Sequence, residues 1–317
     1  MFYWQYRGGV KCKLAINDSE ILGFLGAIPG KYLLCNDIIS GVSLAIWVVA
    51  EKYRNSGLGI FLLDAVEQEN DCVICLGVNK NVVKFYQMRN YAYLDKLRRY
   101  IISLDANLSK MLIGDAWKID FSGVDELKPT NISAEMAFRL WQQFSAISDA
   151  SHENKIKFTL YRNKEFWDWR YINSAGFEYL FFSDYENANF LVGRFDEISG
   201  ATTAELNDKR VFRVIELLSS DYNFIKRVLL WAKNQNAILA DFQISSTLFD
   251  KVLLAAGFKT NKELSPKTQI PAIFSPIRYD IPPINLVMKL PDKLNCQIGF
   301  DETYFVKSDG DMDRPIR

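Results

Sequence analysis

Ile46-Trp-Val-Val-Ala-Glu-Lys-Tyr-Arg-Asn-Ser-Gly-Leu-Gly-Ile60 runs from an apolar, β-branched segment through a loop with two glycines into a segment with helical spacing. The first part predicts a strand, and Ile60-Phe-Leu-Leu-Asp-Ala-Val-Glu67 predicts a helix. Arg54-x-x-Gly57-x-Gly59 places two residues without side-chain bulk at the helix start. Free backbone N–H groups and the positive end of the helix dipole favour a phosphate there. Glycine also permits positive φ and a close backbone approach. The loop therefore reads as a pyrophosphate cradle built from Arg54, Asn55, Ser56, Gly57, Leu58 and Gly59. A plain strand-to-helix turn would use the same glycines, so the flanking pattern has to decide.

Working outward, apolar and β-branched runs at about 10 to 16, 20 to 28, 42 to 50 and 72 to 78 predict strands, with turn signals at Asn17-Asp18 and Pro29-Gly30. The run 72 to 78 leads into Asn79-x-x-Val82-x-x-Phe85-Tyr86, with a helix from about Val82 to Arg89. Gln87-Met-Arg-Asn-Tyr91 and a last strand, Leu97 to Leu104, follow. Between about 106 and 160 the pattern is mixed, with one helical segment from Ser133 to Ala146, and reads as a connector.

Both motifs, in this order and spacing over about residues 10 to 104, resemble the GNAT (Gcn5-related) N-acyltransferase superfamily. Arg54 to Gly59 is similar to its R/Q-x-x-G-x-G/A loop, and Asn79 to Tyr91 to the N-x-x-A-x-x-x-Y-x-x-x-G-F segment that follows it. Val82 and Asn90 stand where the family has alanine and glycine. The family's opening strand and helices have no room before Trp4, so they are lost or supplied by the connector. The resemblance implies acyl-CoA as co-substrate. It implies pairing of the pantetheine amides with the backbone of Trp47, Val48 and Val49, and a cofactor-facing role for Asn79, Phe85 and Tyr86. It also implies that the Tyr86 phenol protonates the departing CoA thiolate, a role that suits a positioned O–H donor. The alternative for Tyr86 is a packed aromatic that only binds the cofactor.

The second half repeats the first. Trp4-Gln5-Tyr6 is echoed by Trp169-Arg170-Tyr171 and Cys72 to Cys75 by Ala237 to Ala240, each at an offset of 165, and Asn90-Tyr91 by Gly257-Phe258 at an offset of 167. One nearly constant offset points to a tandem duplication. The expected fold class is α/β (α+β): tandem GNAT-like domains, each a mixed, mostly antiparallel twisted sheet flanked by helices. The expected order is a CoA-binding domain over 1–106, a connector over 107–160 and a degenerate domain with a C-terminal tail over 161–317. The cradle maps near Asp221-Tyr-Asn-Phe-Ile-Lys226, which has no glycine, and Tyr86 maps near Leu253. The second copy is therefore expected to lack the CoA site and to build the acceptor side of the cleft or a homodimer contact.

Composition narrows the partners. The 317 residues suit two domains. Lys+Arg and Asp+Glu balance at 38 each, without long single-sign runs, which counts against nucleic acid and anionic membranes. No apolar stretch approaches the roughly 20 residues of a membrane span, and MFYWQYRGGVKCK at the N-terminus lacks the marks of a secretory signal, so a soluble, cytoplasmic protein is expected. The five cysteines are scattered, and Cys72 and Cys75 would point to opposite faces of one strand, so they read as core thiols. No metal site is expected.

The acceptor is the open question. Phe2-Tyr-Trp-Gln-Tyr6 and Phe166-Trp-Asp-Trp-Arg-Tyr171 are ring-dense knots that could stack on a sugar or base, with Trp4, Tyr6 and Trp169 as candidates, although core packing explains such clusters as well. The tail Ser308-Asp-Gly-Asp-Met-Asp-Arg-Pro315 starts like a calcium loop but has no closing Glu. The W-x-Y knots, tandem halves and GDxDRP-like ending together are similar to acyltransferases of bacterial surface-polysaccharide pathways, lipopolysaccharide O-antigen among them. That likeness implies transfer to the amine of a dTDP- or UDP-linked amino-deoxy sugar, with Asp313 and Arg314 touching substrate. Asp311 is the preferred general base, with Asp313, Glu51 and water as alternatives. His152 reads as an exposed loop residue. Two rival readings are an aminoacyl or peptide-type transferase of cell-wall synthesis, which would need a basic face for tRNA, and a non-catalytic CoA-binding scaffold.

Overall fold

The structure is a computed structural model that describes residues 12–150, 156–291, 298–310 and 312–313. Trp4, Tyr6, His152, Cys296, Asp311 and Arg314 lie outside the described residues. The chain forms two compact units. One holds Met1–Leu97, Ile156–Tyr161 and Ile284–Arg317; the other holds Arg98–Lys155 and Arg162–Pro283. The units interleave along the chain, whereas the sequence reading cuts it in order at 106 and 160. Pairing of strands from the C-terminal part with the first sheet causes the difference. Among the described residues no helix is long and apolar enough to cross a membrane.

Unit 1 is built on β1 (Lys13–Asn17), β2 (Glu20–Leu34), β3 (Asp37–Val49), α1 (Leu58–Glu67), β4 (Cys72–Leu76), α2 (Lys80–Met88) and β5 (Ala92–Leu94). To these are added β7 (Phe158–Leu160), β14 (Leu286–Lys289) and β15 (Thr303–Tyr304). The sheet order is β15-β7-β2-β3-β4-β14-β5, with β1 also on β2. The β3–β4 and β15–β7 pairs are parallel and the others antiparallel.

Alternation along the strands sorts the side chains onto two faces. Leu25, Ala27, Val42, Leu44, Val73 and Val287 pack with Leu62, Leu63 and Val66 of α1 and Val83 and Tyr86 of α2. The opposite face carries Tyr32, Ser43, Ile74 and Leu76, all buried. It is covered by the connector strand and the C-terminal segment: Phe158 stacks on Tyr32 and touches Phe305, and Tyr304, Phe305 and Val306 are fully buried. Cys72 lies on this face beside Gly41 and Cys75 on the α1 face. Among the described residues this face is thus covered by 156–161, 303–310 and 312–313.

Unit 2 contains β6 (Arg98–Ser103), α3 (Ala106–Ile113), α4 (Ala134–Ala150), α5 (Lys164–Trp167), β8 (Leu180–Asp184) and β9 (Asn189–Glu197). It continues with β10 (Arg210–Leu218), α6 (Tyr222–Asn234), β11 (Ala237–Ile244), α7 (Asp250–Ala255) and the small hairpin β12 (Ile273–Phe274) and β13 (Ile277–Arg278). Its sheet runs β6-β11-β10-β9-β8, with β10–β11 parallel.

The last strand of the first copy forms as β6 but does not join the first sheet. It pairs antiparallel with β11, and Ile101 also bridges Lys259. Two ion pairs accompany this pairing: Arg99 donates to Asp241 of β11 at 2.9 Å and Arg98 to Asp250 of α7 at 2.6 Å. In unit 1 the place beside β4 is taken by β14, inserted between β4 and β5 with Leu286 opposite Leu76. Each sheet therefore borrows a strand from the far side of the sequence.

The two helices that the offset matches end in the same kind of turn. Tyr91 N–H donates to Tyr86 C=O at 3.1 Å, and Phe258 N–H to Leu253 C=O at 3.0 Å. The residue before each donor, Asn90 or Gly257, has positive φ, 64° and 101°. Both are the common helix end with a left-handed residue after the last turn, and Leu253 occupies in one the place that Tyr86 occupies in the other.

Candidate functional site

The β3–β4 ladder starts at Gly41↔Cys72 and ends at Leu44↔Cys75. Beyond it, β4 stays paired with β14, while β3 from Ala45 to Val49 pairs with β2 alone among the described residues. An extra residue in β3 between the pairs Leu44↔Ala27 and Trp47↔Leu25 makes a bulge and bends the strand at the point of parting. The result is a fork whose β3 edge presents backbone N–H and C=O groups without ladder partners. Trp47, Val48 and Val49 lie on this limb; Val48 is 53% exposed. The indole of Trp47 turns inward, with its Nε1–H buried and unpartnered and its ring 5.8 Å from Phe85 and 6.0 Å from Tyr86.

The cradle follows directly. A 3-10 turn over Glu51–Tyr53 leads to Arg54, then to Asn55 with φ 66° and Gly57 with φ 86°, the N-cap of α1. No side chain caps this helix. The first intrahelical bonds go from Ile60 and Phe61 N–H to Gly57 C=O, at 2.9 and 3.3 Å. Gly57 and Gly59 N–H find no acceptor among the described residues, and Leu58 N–H has only the long 3.4 Å contact to Ser56 Oγ. A Cβ on Gly57 would meet nothing within 4 Å. Here the glycine answers to its left-handed backbone, and the space beside it is open. An exposed Arg54, free N–H groups and that open space suit a diphosphate.

Asn79 is the N-cap of α2, its side-chain oxygen accepting from Asn81 N–H at 3.0 Å. Its amide is thus used to start the helix that carries Phe85 and Tyr86. Phe85 is half-buried and also stacks under Arg89, at 5.7 Å. Tyr86 is 2% exposed and meets Tyr91 at 4.9 Å in an edge-on contact. Its hydroxyl makes no hydrogen bond among the described residues. Burial pushes the phenol well above its ordinary value of 10, with nearby Cys75 and Glu67 adding to the shift. Tyr86 therefore stays protonated across neutral pH, the state a proton donor needs. Glu67 beneath it is held below the usual carboxylate range. Burial pushes it up, but hydrogen bonds from Arg89, Lys289 and Tyr91 outweigh this.

Asp313 is 1% exposed and belongs to the tail that crosses the far face of the fork. Glu51, the alternative base, is exposed on the 3-10 turn beside the cradle. Trp169 belongs to unit 2, half-buried in the π-helical turn Asp168–Ile172 and 6.1 Å from Phe166. Around it, Phe166, Trp167 and Tyr171 are buried, so that knot is mainly core. Unit 1 thus brings together Trp47, Gly59, Phe85 and Tyr86. Among the described residues no group of three or more His, Cys, Asp or Glu is placed to hold a metal.

In unit 2 the segment onto which the sequence offset maps the cradle starts a helix that is capped by its own sequence: the Asp221 carboxylate accepts from Asn223 N–H at 2.8 Å. A fixed negative charge at that helix start opposes a phosphate.

Sequence reasoning missed three features. Asn285 clamps the end of β4, accepting from Val78 N–H at 2.6 Å and donating to its C=O at 2.9 Å. Its partner lies 207 residues away, so no local pattern could reveal it. Ser43 and Tyr32 place hydroxyls on the covered face of the fork. Their alternation within strands was the only available signal.

No protein-family model and no curated protein sequence matches the chain. Solved structures do. A conserved protein of unknown function and probable N-acyltransferase from Enterococcus faecalis V583 matches with a TM-score of 0.51 at 12% identity, over 89% of this chain and 62% of its own. A GCN5-related N-acetyltransferase from Anabaena variabilis ATCC 29413 gives 0.52 at 11%, over 88% and 62%. One from Kribbella flavida gives 0.53 at 13%, over 87% and 58%. The chain thus spans about three fifths of the length of these proteins. Its mixed α/β architecture, with mostly antiparallel sheets flanked by helices, is that of the GCN5-related N-acetyltransferase fold.

Proposed function

We propose that this protein is a CoA-dependent N-acyltransferase. In this reading it moves an acyl group of the acetyl or 3-hydroxybutyryl class to the amine of a dTDP- or UDP-linked amino-deoxy sugar, in the cytoplasm. The observation that carries the reading is the fork: a strand edge without ladder partners that runs straight into an uncapped helix start with free N–H groups. A pantetheine arm needs the first and a diphosphate the second, in that order along one ligand. The residues present fit CoA. Arg54 to Gly59 would hold the diphosphate, and the backbone of Trp47 to Val49 the pantetheine amides. The shared fold with N-acyltransferases supports the reaction class. The nucleotide-sugar acceptor rests on the likeness of the aromatic knots and the C-terminal motif to polysaccharide-pathway enzymes.

The amine attacks the thioester directly in a ternary complex. Backbone N–H groups near Val48 and Val49 stabilise the oxyanion, and Tyr86 protonates the leaving sulfur. Asp311 is the proposed base, with Asp313 and Arg314 toward the acceptor. The self-capped helix at Asp221 and the leucine in place of Tyr86 support one donor site per chain.

The test is to incubate the protein with acetyl-CoA or 3-hydroxybutyryl-CoA and a panel of dTDP- and UDP-amino sugars, following thiol release. Turnover restricted to one sugar class is expected. Tight CoA binding with no turnover on any sugar would remove the sugar acceptor and leave the donor site.

A further inference from the structure

The length of the β3 limb fixes where a thioester would fall. From Val49 back to Leu44 the limb measures about 16 Å, at about 3.3 Å per residue, close to the reach of an extended pantetheine arm. A diphosphate at the cradle therefore places the sulfur at the crotch of the fork, where the last β3–β4 pair is Leu44↔Cys75. The ladder itself closes the way on between the strands. The α1 side is filled, because Leu44, Val83 and Tyr86 are buried there in one core with Trp47, Cys75 and Phe85 packed against it. An acyl group beyond the sulfur is left with the far face.

On that face the C-terminal segment comes down onto the crotch by close approach. A Cβ on Gly310 would stand 3.2 Å from Leu76 Cδ1 and 3.4 Å from Ser43 Oγ. Ser43 and Leu76 lie one step before and one step after the pair Leu44↔Cys75. Gly77 follows Leu76 with φ 72°, and its N–H donates to Asn285 C=O at 2.9 Å. A Cβ on Gly77 would be 2.6 Å from the Met312 sulfur and 2.9 Å from its Cε, too close for any side chain. Met312 is half-buried, and its thioether fills the notch that the missing side chain leaves. Backbone conformation and occupant thus both require glycine at 77. The methionine tip is apolar and polarizable, a surface suited to the end of a short alkyl group, and it stands just past the crotch.

Resting on the acyltransferase reading, we propose that Met312, seated on Gly77, sets the length of the acyl group and restricts the donor to acetyl-CoA. The methyl of an acetyl group ends against the thioether. Each further carbon has to displace a side chain that is held in its notch while Gly310 closes on Leu76 and Ser43 beside it. One misfitted methylene in such a pocket is worth about 10- to 200-fold in discrimination. Of the two acyl classes named above, the four-carbon one is therefore the poorer donor.

The experiment uses the full chain and two stable CoA thioethers, S-ethyl-CoA and S-butyl-CoA, with CoA itself as control, by titration calorimetry. Their alkyl groups match acetyl and butyryl in carbon count. The wild type should bind S-ethyl-CoA about tenfold or more tightly than S-butyl-CoA. Met312→Ala should bring the ratio to about one or reverse it, since the vacated space takes the longer chain and buried methylenes then add affinity. Met312→Leu, of similar volume, should keep most of the preference. Met312→Val should lower the ratio several-fold, and it serves if Met312→Ala does not fold. CoA binding without preference for the shorter chain in the wild type, or a preference unchanged in both Met312→Ala and Met312→Val, would overturn the assignment of Met312 and leave the donor site standing. No binding of any of the three compounds would overturn the donor site, and this inference with it.

Discussion

Trp47 and Gly59 are in contact across the cradle. A Cβ on Gly59 would stand 3.1 Å from the indole ring, which on its other side packs against Phe85 and Tyr86. The ring therefore decides what residue 59 can be. Gly59→Val should destabilise the chain by about 1–3 kcal/mol, because the branched side chain must displace a ring that is itself held. Gly59→Ala should be nearly neutral, since a helix gains about 1 kcal/mol from that exchange and the indole need move only slightly. Urea unfolding of both variants checks this; equal stability for the two would mean that the indole gives way freely.

Gly57 presents the opposite case. Its φ of 86° strains any side chain, yet a Cβ there would meet open space. Gly57→Ala should cost about 1–2 kcal/mol of stability from the left-handed backbone. Gly57→Glu should cost a similar amount and also abolish CoA binding, because its carboxylate enters the volume proposed for the diphosphate. Thermal unfolding with and without CoA separates the effects. Unchanged CoA affinity in Gly57→Glu would place the cofactor elsewhere.

Removal of the Tyr86 hydroxyl tests its proposed role. Tyr86→Phe keeps the ring contacts with Trp47, Phe85 and Tyr91, so CoA affinity should hold while turnover falls by about 100-fold or more, the usual weight of a positioned acid. An equal loss in affinity and turnover would make Tyr86 a binding residue only.

The legible part of this protein was the part written in neighbouring residues. Arg54 to Gly59 and Asn79 to Tyr91 each lie in one stretch, and both fold into the predicted strand-loop-helix and helix-turn units. The turns after both helices were legible as well, because a helix end of this type takes a residue that tolerates φ > 0, Asn90 in one and Gly257 in the other. What the sequence hid was partnership over distance. Leu97 to Leu104 has every mark of a strand, but strand propensity does not say which sheet takes it, and Arg98 and Arg99 find their carboxylates at Asp250 and Asp241. The cover of the far face was hidden for the same reason, since Phe158 and Phe305 meet only when the chain returns. The tail drew notice for its acidic residues, whereas Gly310 and Gly77 are what allow it to dock.

Asn285 gives a test of that long-range architecture. It is 2% exposed and fills both the N–H and the C=O of Val78 at the end of β4. Asn285→Ala would leave two backbone groups unpaired, at about 1–3 kcal/mol for each one that water cannot reach. A loss of about 2–4 kcal/mol in urea unfolding is expected. A loss near zero would show that solvent enters this turn.

Alkaline pH should weaken the fold, with a sign fixed by the buried phenols. Burial pushes Tyr32, Tyr86, Tyr91 and Tyr100 well above their ordinary value of 10, and it does the same to the Cys72 thiol, whose ordinary value is 9. In the unfolded chain these groups ionise near their ordinary values, while the folded chain keeps their protons. Above pH 9 to 10 the unfolded state thus holds fewer protons than the native one, and stability falls as pH rises. Below that window the same groups contribute no slope. Each fully differing proton is worth about 1.4 kcal/mol per pH unit. Urea unfolding at pH 8, 9, 10 and 11 should therefore give a flat start and a steep fall from about pH 10. Tyr86→Phe should make that fall shallower by up to one proton. An identical slope in the variant would mean that Tyr86 ionises as readily in the native protein as in the unfolded chain, and that its burial does not hold the proton.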